Sequence, residues 1–113
     1  AVISYFVIQI NDDLEFLKTM YIEDVDLTLV DDGNYYGTYS VFPVEVELIV
    51  TVEDHEITTI NIIRHMNGQG EPAEVIVDDI IESQTLQVDA IAGATYSSKV
   101  ILLAVQNALL NES

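Results

Sequence analysis

The chemistry this chain can offer is concentrated in Val88-Asp-Ala-Ile-Ala-Gly-Ala-Thr-Tyr-Ser-Ser98, just ahead of an apolar helical run. Gly93 permits a tight turn and lets a ligand come close to the backbone. Ala94 is small and leaves similar room. Thr95, Ser97 and Ser98 supply hydroxyls, and Lys99 follows within the first turn. The N–H groups of a first helical turn lack intrahelical acceptors, and the helix dipole favours negative charge beside them. Dipoles and hydroxyls together form an anion site that requires no Lys or Arg. The same residues also read as an ordinary helix cap, because Thr or Ser before an apolar run begins many helices. Chemistry alone leaves both readings open.

Other chemistries find less support. Cysteine is absent, which excludes disulfides and thiolate metal sites without fixing a compartment. The acids at Glu23, Asp24, Asp26, Asp31 and Asp32 lack the glycine spacing of a Ca²⁺ loop. No nucleophile–His–acid arrangement is evident, and no glycine-rich nucleotide fingerprint supports a reductase with a diffusible donor. Twenty acids stand against Lys18, Arg64 and Lys99, for a formal net charge of −17. That field repels nucleic acid and anionic lipid, so neither is a partner. It also opposes a phosphorylated ligand, which needs strong local help. Screening over about 8 Å at physiological salt mutes the distant acids, and most of the acidity reads as a solubility device.

These residues require elements to hold them. At 113 residues the chain forms one domain, and half of it is hydrophobic, too much for a disordered segment. Ala1 to Ile10 is nearly all apolar but shorter than the roughly 20 residues that span a bilayer. It reads either as the stub of an N-terminal membrane anchor or as a core strand or helix. Asn11 to Met20 suits a helix, and Ile22-Glu-Asp-Val-Asp-Leu27 an extended connector; residues 1–29 are thus an N-terminal segment ahead of a domain over 30–113. Asp31-Asp-Gly33-Asn34 is a turn. Tyr35 to Val41 is a strand, with Gly37 placed where a backbone or ligand approaches. Val44, Val46, Leu48, Val50 and Val52 alternate with polar residues, a strand with one buried face. Glu53 to Glu56 turns into a third strand from Ile57 to Ile63, and His65 follows in a glycine loop with Gly68 and Gly70. Pro72 opens a helix whose apolar stripe is Ala73, Ile76, Val77, Ile80 and Ile81, ending near Ser83. Glu71 and Glu74 suit its dipole. Gln84 to Ile91 is a loop with a short extended piece, and Tyr96 to Leu110 is the last helix. An antiparallel meander against two main helices is an α+β domain.

Several segments, in order, resemble the FMN-binding domain family: Asp32-Gly-Asn-Tyr-Tyr-Gly-Thr-Tyr39, Val-Thr-Val-x-Asp over Val50 to Asp54, His65 with Gly68 and Gly70, and Val88 to Ser98. The resemblance runs from about Val30 to Leu110, and its last motif is the most specific. The family includes the flavin-carrying domains of sodium-pumping NADH:quinone oxidoreductase and of ferredoxin:NAD oxidoreductase. There a flavin transferase joins the FMN phosphate to the final Thr of Asp-x-x-Ser/Thr-Gly-Ala-Thr. On this chain the resemblance makes Asp89 the aspartate, Gly93-Ala94 the small pair and Thr95 the acceptor. Ala92 stands where Ser or Thr is usual, a difference that bears on transferase recognition and leaves the acceptor hydroxyl in place.

What the resemblance implies is an electron-transfer module with FMN as cofactor, its phosphate at Gly93, Ala94, Thr95, Ser97 and Ser98. Tyr96 is placed to stack on the flavin, Lys99 to meet the phosphate, and His65 to lie near by. Tyr35, Tyr36 and Tyr39 offer stacking or simple packing. A phosphodiester carries less negative charge than a free phosphate, which eases the conflict with the acids. With so few cations, reduced flavin is poorly stabilised, which implies a low reduction potential. The expected partners are other electron-transfer proteins and a flavin transferase, the expected location extracytoplasmic, with membrane association only through an N-terminal anchor. A redox carrier fits better than an enzyme with its own substrate. The alternative is a cofactor-free extracytoplasmic interaction domain of the same fold.

Overall fold

The computed structural model describes residues 22–66 and 71–110. The Ala1–Ile10 stretch, the Asn11–Met20 helix and the glycines at 68 and 70 lie outside the described residues. A 3-10 turn at Leu27–Leu29 leads into β1 (Gly33–Val41), β2 (Val44–Glu53) and β3 (Glu56–Met66). Then come α1 (Glu71–Glu74), α2 (Ile76–Ser83) and the long α3 (Thr95–Leu110). The strands form one antiparallel sheet in the order β1-β2-β3. The α+β architecture read from the sequence is the one found.

Period-2 alternation in β2 does what it predicts: Val44, Val46, Leu48, Val50 and Val52 are all buried. Phe42 and Pro43 turn β1 into β2, and Asp54 and His55, both with positive φ, turn β2 into β3. Two left-handed residues in a two-residue loop match the right-handed twist of the flanking strands. The third strand is longer and less regular than its sequence implies. Its register against β2 slips twice, between Glu47 and Leu48 and between Thr51 and Val52. Each slip adds a residue to β3, so its inward positions are Ile57, Ile60, Ile62 and His65. His65 therefore belongs to the strand, not to the loop after it.

The helix expected over Pro72 to Ser83 is interrupted at Val75, which is exposed. The Asp78 N–H bonds the Val75 carbonyl at 3.0 Å, a three-residue spacing that tightens the restart. The apolar stripe survives the break, since Ala73, Ile76, Val77 and Ile80 are buried. Gln84 ends α2 in the left-handed conformation, and the loop that follows contains no strand.

Val100 through Val105 are buried without interruption, as are Ala108 and Leu109, so α3 is enclosed on nearly all sides. Burying a large apolar side chain typically stabilises a fold by about 1.5–3 kcal/mol, so this helix contributes heavily to stability. It crosses the sheet from β3, where Ser97 meets His65, to β1, where Ala104 and Ala108 lie over Gly37. The close approach expected at Gly37 is made by helix backbone: a Cβ there would lie 2.2 Å from the Ala104 carbonyl oxygen and 2.6 Å from the Ala108 Cβ.

Side-chain amides finish what the small sheet leaves open. Asn107 of α3 accepts the Thr38 N–H of β1 at 3.1 Å. Gln84 accepts the Ile57 N–H of β3 at 2.7 Å and donates to the Ile57 carbonyl at 2.9 Å, as a neighbouring strand would. Residues 22–29 pack on the same unit. Ile22 and Val30 join the core, Gln106 accepts the Glu23 N–H, and Gln87 donates to the Ile22 carbonyl. Both the Leu27 and Val30 carbonyls lie 3.1 Å from His55 Nδ1, which must carry the proton to satisfy them. The Asp24 carboxylate accepts from the Thr85 hydroxyl and the Leu86 N–H. Partial burial works to raise its pKa, but these bonds and the Val25 N–H outweigh burial and hold it below the usual carboxylate value.

The Gly37 contact makes a sharp prediction. Gly37→Ala must push α3 off the sheet and lowers stability by about 3 kcal/mol, or roughly 15 °C in Tm. Thermal unfolding followed by circular dichroism measures this, with Gly33→Ala as the milder comparison. Among the described residues, a Cβ at Gly33 meets nothing closer than 3.7 Å, and the backbone φ of 157° is what counts against it.

Candidate functional site

The entry to α3 is a clamped turn. Val88 and Ile91 pack against the core and anchor the loop on either side of Asp89 and Ala90. The chain turns at Ala92-Gly93, where Gly93 has φ 80°, a conformation costly for a residue with a Cβ. The Ala94 N–H bonds the Ile91 carbonyl at 2.9 Å, closing the turn, and Ala94 is buried. The Ser98 hydroxyl reaches back to fasten it, donating to the Ala94 carbonyl at 2.7 Å and accepting the Ile91 N–H at 3.0 Å. Ser98 is completely buried, and both of these bonds hold the turn.

Ser97 is just as buried and also looks inward. Its Oγ lies 3.1 Å from Nε2 of His65, whose Nδ1 lies 3.0 Å from Oε2 of Glu74. The His65 side chain is 4% exposed and that of Glu74 37%. This acid–imidazole–hydroxyl series was not visible in the sequence, where Glu74 read only as a helix-dipole residue. Its parts come from three elements, and the register slip near Leu48 makes it: Glu47 pairs with Arg64 and Leu48 with Ile62, leaving Ile63 as the extra residue. The slip turns His65 inward opposite Val46 and sends Arg64 to the outer face, beside Glu45 and Glu47. The series is not a nucleophile and its base, because a fully buried Ser97 oxygen cannot meet a substrate.

Thr95 differs from both serines. It is half-buried, and among the described residues no partner engages its hydroxyl. The cap reading therefore fails for this side chain, which bonds no N–H of the first turn. Around it, Ala92 and Gly93 are exposed, and among the described residues nothing lies within 4 Å of where a Gly93 Cβ would be. Lys99 is half-buried, with no carboxylate in salt-bridge reach among the described residues. Tyr96 is partly buried and packs against the core. A free hydroxyl, a cation, open space and the positive end of a 16-residue helix fit a phosphate monoester.

Asp89 is exposed on the loop that leads into this entry. It lines a groove of about 540 Å³ with Asp79, Glu82, Ser83, Gln87 and Val88. Three carboxylates around that groove repel a phosphate, so its size does not make it the anion site. The other tyrosines divide by face. Tyr35 and Tyr39 pack on the core, and Tyr35 donates to the Asp31 carbonyl at 2.6 Å. Tyr36 is exposed on the outer face and hydrogen-bonds Glu47, which raises the pKa of the phenol. None of the three is shown at the α3 entry.

Much of the acidity lies elsewhere. Asp31, Asp32, Glu53, Asp54 and Glu56 are exposed around the β2–β3 turn, where the Asp54 N–H bonds the Asp32 carboxylate. Along β2, Glu53 is about 20 Å from Val46, the register partner of His65. That is more than two Debye lengths at physiological salt.

In comparison with known proteins, the model of a family described as the FMN-binding domain matches residues 43–110, well over half of the chain. No curated protein matches it. The matched span runs from the turn before β2 to the end of α3 and so contains every residue of the clamped entry.

The clamp itself is testable. Ser98→Ala strands the Ile91 N–H in a part-buried position and costs about 1–3 kcal/mol. Urea unfolding measures that loss, and faster amide exchange at Ile91 and Ala94 locates it.

Proposed function

The chain belongs to the FMN-binding domain family and FMN is its cofactor; from that premise we propose that α3 holds the FMN phosphate at its N-terminus and that Thr95 is the point of covalent attachment. One observation carries the proposal. Of the three hydroxyls at the start of α3, those of Ser97 and Ser98 are turned inward, and that of Thr95 is unengaged among the described residues.

Each residue then has a task. The first-turn N–H groups and the helix dipole attract the phosphate, Lys99 adds a full positive charge, and Gly93 keeps the approach open. Tyr96 borders the same entry. Asp89 and Ala92 are exposed beside it, where a flavin transferase reads them; Ala92 thus changes a recognition surface and leaves the packing alone. In the attachment, the Thr95 oxygen forms an ester bond to phosphorus and gives up its proton. The balance requires an activated flavin donor in which that phosphorus is part of a pyrophosphate, whose P–O bond breaks as the nucleotide leaves.

Bound FMN supplies one- and two-electron redox chemistry, and the protein's part is to hold it and set its surroundings. With three cations in the chain, those surroundings disfavour added negative charge and give a low reduction potential. Electron carriage between other redox proteins is the task that suits a bound FMN in this reading. An extracytoplasmic location belongs to the same proposal and follows from the family resemblance.

Intact mass distinguishes covalent from noncovalent flavin. Coexpressed with a flavin transferase, the chain gains the mass of one FMN less one water. The Thr95→Val chain, which keeps the side-chain shape and lacks the hydroxyl, stays at its unmodified mass. A modified Thr95→Val chain, or an unmodified parent, removes Thr95 as the acceptor.

A further inference from the structure

Phosphate binding and attachment at Thr95 leave His65 and Glu74 without a role, although they are joined to the second residue beyond Thr95. We propose that His65 and Glu74 are positioning residues for the flavin phosphate: through Ser97 they hold the first turn of α3 in the pose that meets it. This inference rests on the phosphate lying at the start of α3.

Donor and acceptor chemistry fixes the direction of the relay. A carboxylate only accepts, so Glu74 fixes the proton on Nδ1 of a neutral His65. Nε2 must then accept from the Ser97 hydroxyl. Ser97 is thereby tied to β3 from inside the turn whose N–H groups face the proposed phosphate, two residues from Thr95.

The surroundings of His65 hold it to these two contacts. From α1 it faces Glu74, and from α3 Ser97, with Lys99 further along the same turn. On β2 its register partner is the apolar Val46. Its neighbour on β3, Arg64, lies on the opposite face with Glu45 and Glu47. The acids of α2 are Asp78, Asp79 and Glu82, of which Asp79 and Glu82 border the separate acidic groove.

The test uses the chain made without a flavin transferase, titrated at one pH with FMN and with riboflavin, which lacks the phosphate. Flavin fluorescence gives Kd. The parent binds FMN roughly threefold to tenfold more tightly than His65→Leu, and the two bind riboflavin alike. Glu74→Ala, which releases the imidazole from its anchor, weakens FMN binding in the same way and serves if His65→Leu fails to fold. Unchanged FMN binding by the variants overturns the inference while leaving the site reading intact. An equal loss for riboflavin also overturns it, because it reports a general structural role. Absence of FMN binding by the parent overturns both together.

Discussion

At Gly37 the backbone of β1 and the backbone of α3 are in contact, and the position of that helix sets the rest of the domain. The missing side chain lets Ala104 and Ala108 seat against the strand. Asn107, between them, binds the Thr38 N–H on the same strand. With one end fixed there, α3 crosses β2 and delivers its first turn to β3, where Ser97 meets His65. A helix buried on nearly every side has little freedom to rotate, because each residue from Val100 to Val105 has packing to lose. The aim of the first-turn N–H groups is therefore a consequence of packing far from them.

The entry to α3 combines two demands on neighbouring hydroxyls. Ser98 closes the turn behind Gly93, Ser97 ties the helix to β3, and the Thr95 hydroxyl is engaged by neither task among the described residues. Rigid support from buried groups and one uncommitted hydroxyl in front suit a site that must hold a phosphate in one pose. The −17 charge is less of an obstacle than its total implies. A block of exposed acids surrounds the far turn of the sheet, about 20 Å along β2 from the level of His65.

The alternation in β2, the turn that follows it, the apolar run of α3 and the Val88–Ser98 motif are all local patterns, and all were legible. Gly37 was legible as a close approach, though not as one made by helix backbone. The misses share a physical cause. A register slip in β3 depends on pairing with β2, so no local pattern announces that His65 faces inward while Arg64 faces out. Glu74 joins the site only once α1 is folded beside β3. The helix break at Val75 leaves the apolar stripe intact, so periodicity passes over it. The hydroxyls of Thr95, Ser97 and Ser98 look alike in sequence, and only their surroundings separate the free one from the two that hold structure. The glutamines and asparagine that complete the sheet edges gave no signal, because their partners are backbone groups distant along the chain.

The central claim is that the phosphate of FMN meets the first turn of α3. The most direct measurement is a ¹H–¹⁵N correlation spectrum of the chain made without a flavin transferase, recorded as FMN is added. The account predicts that the largest amide shifts fall on Gly93 to Lys99, with a smaller change at His65. Shifts centred on Asp79 to Asp89 or on the outer face of the sheet, with the start of α3 unmoved, would contradict it.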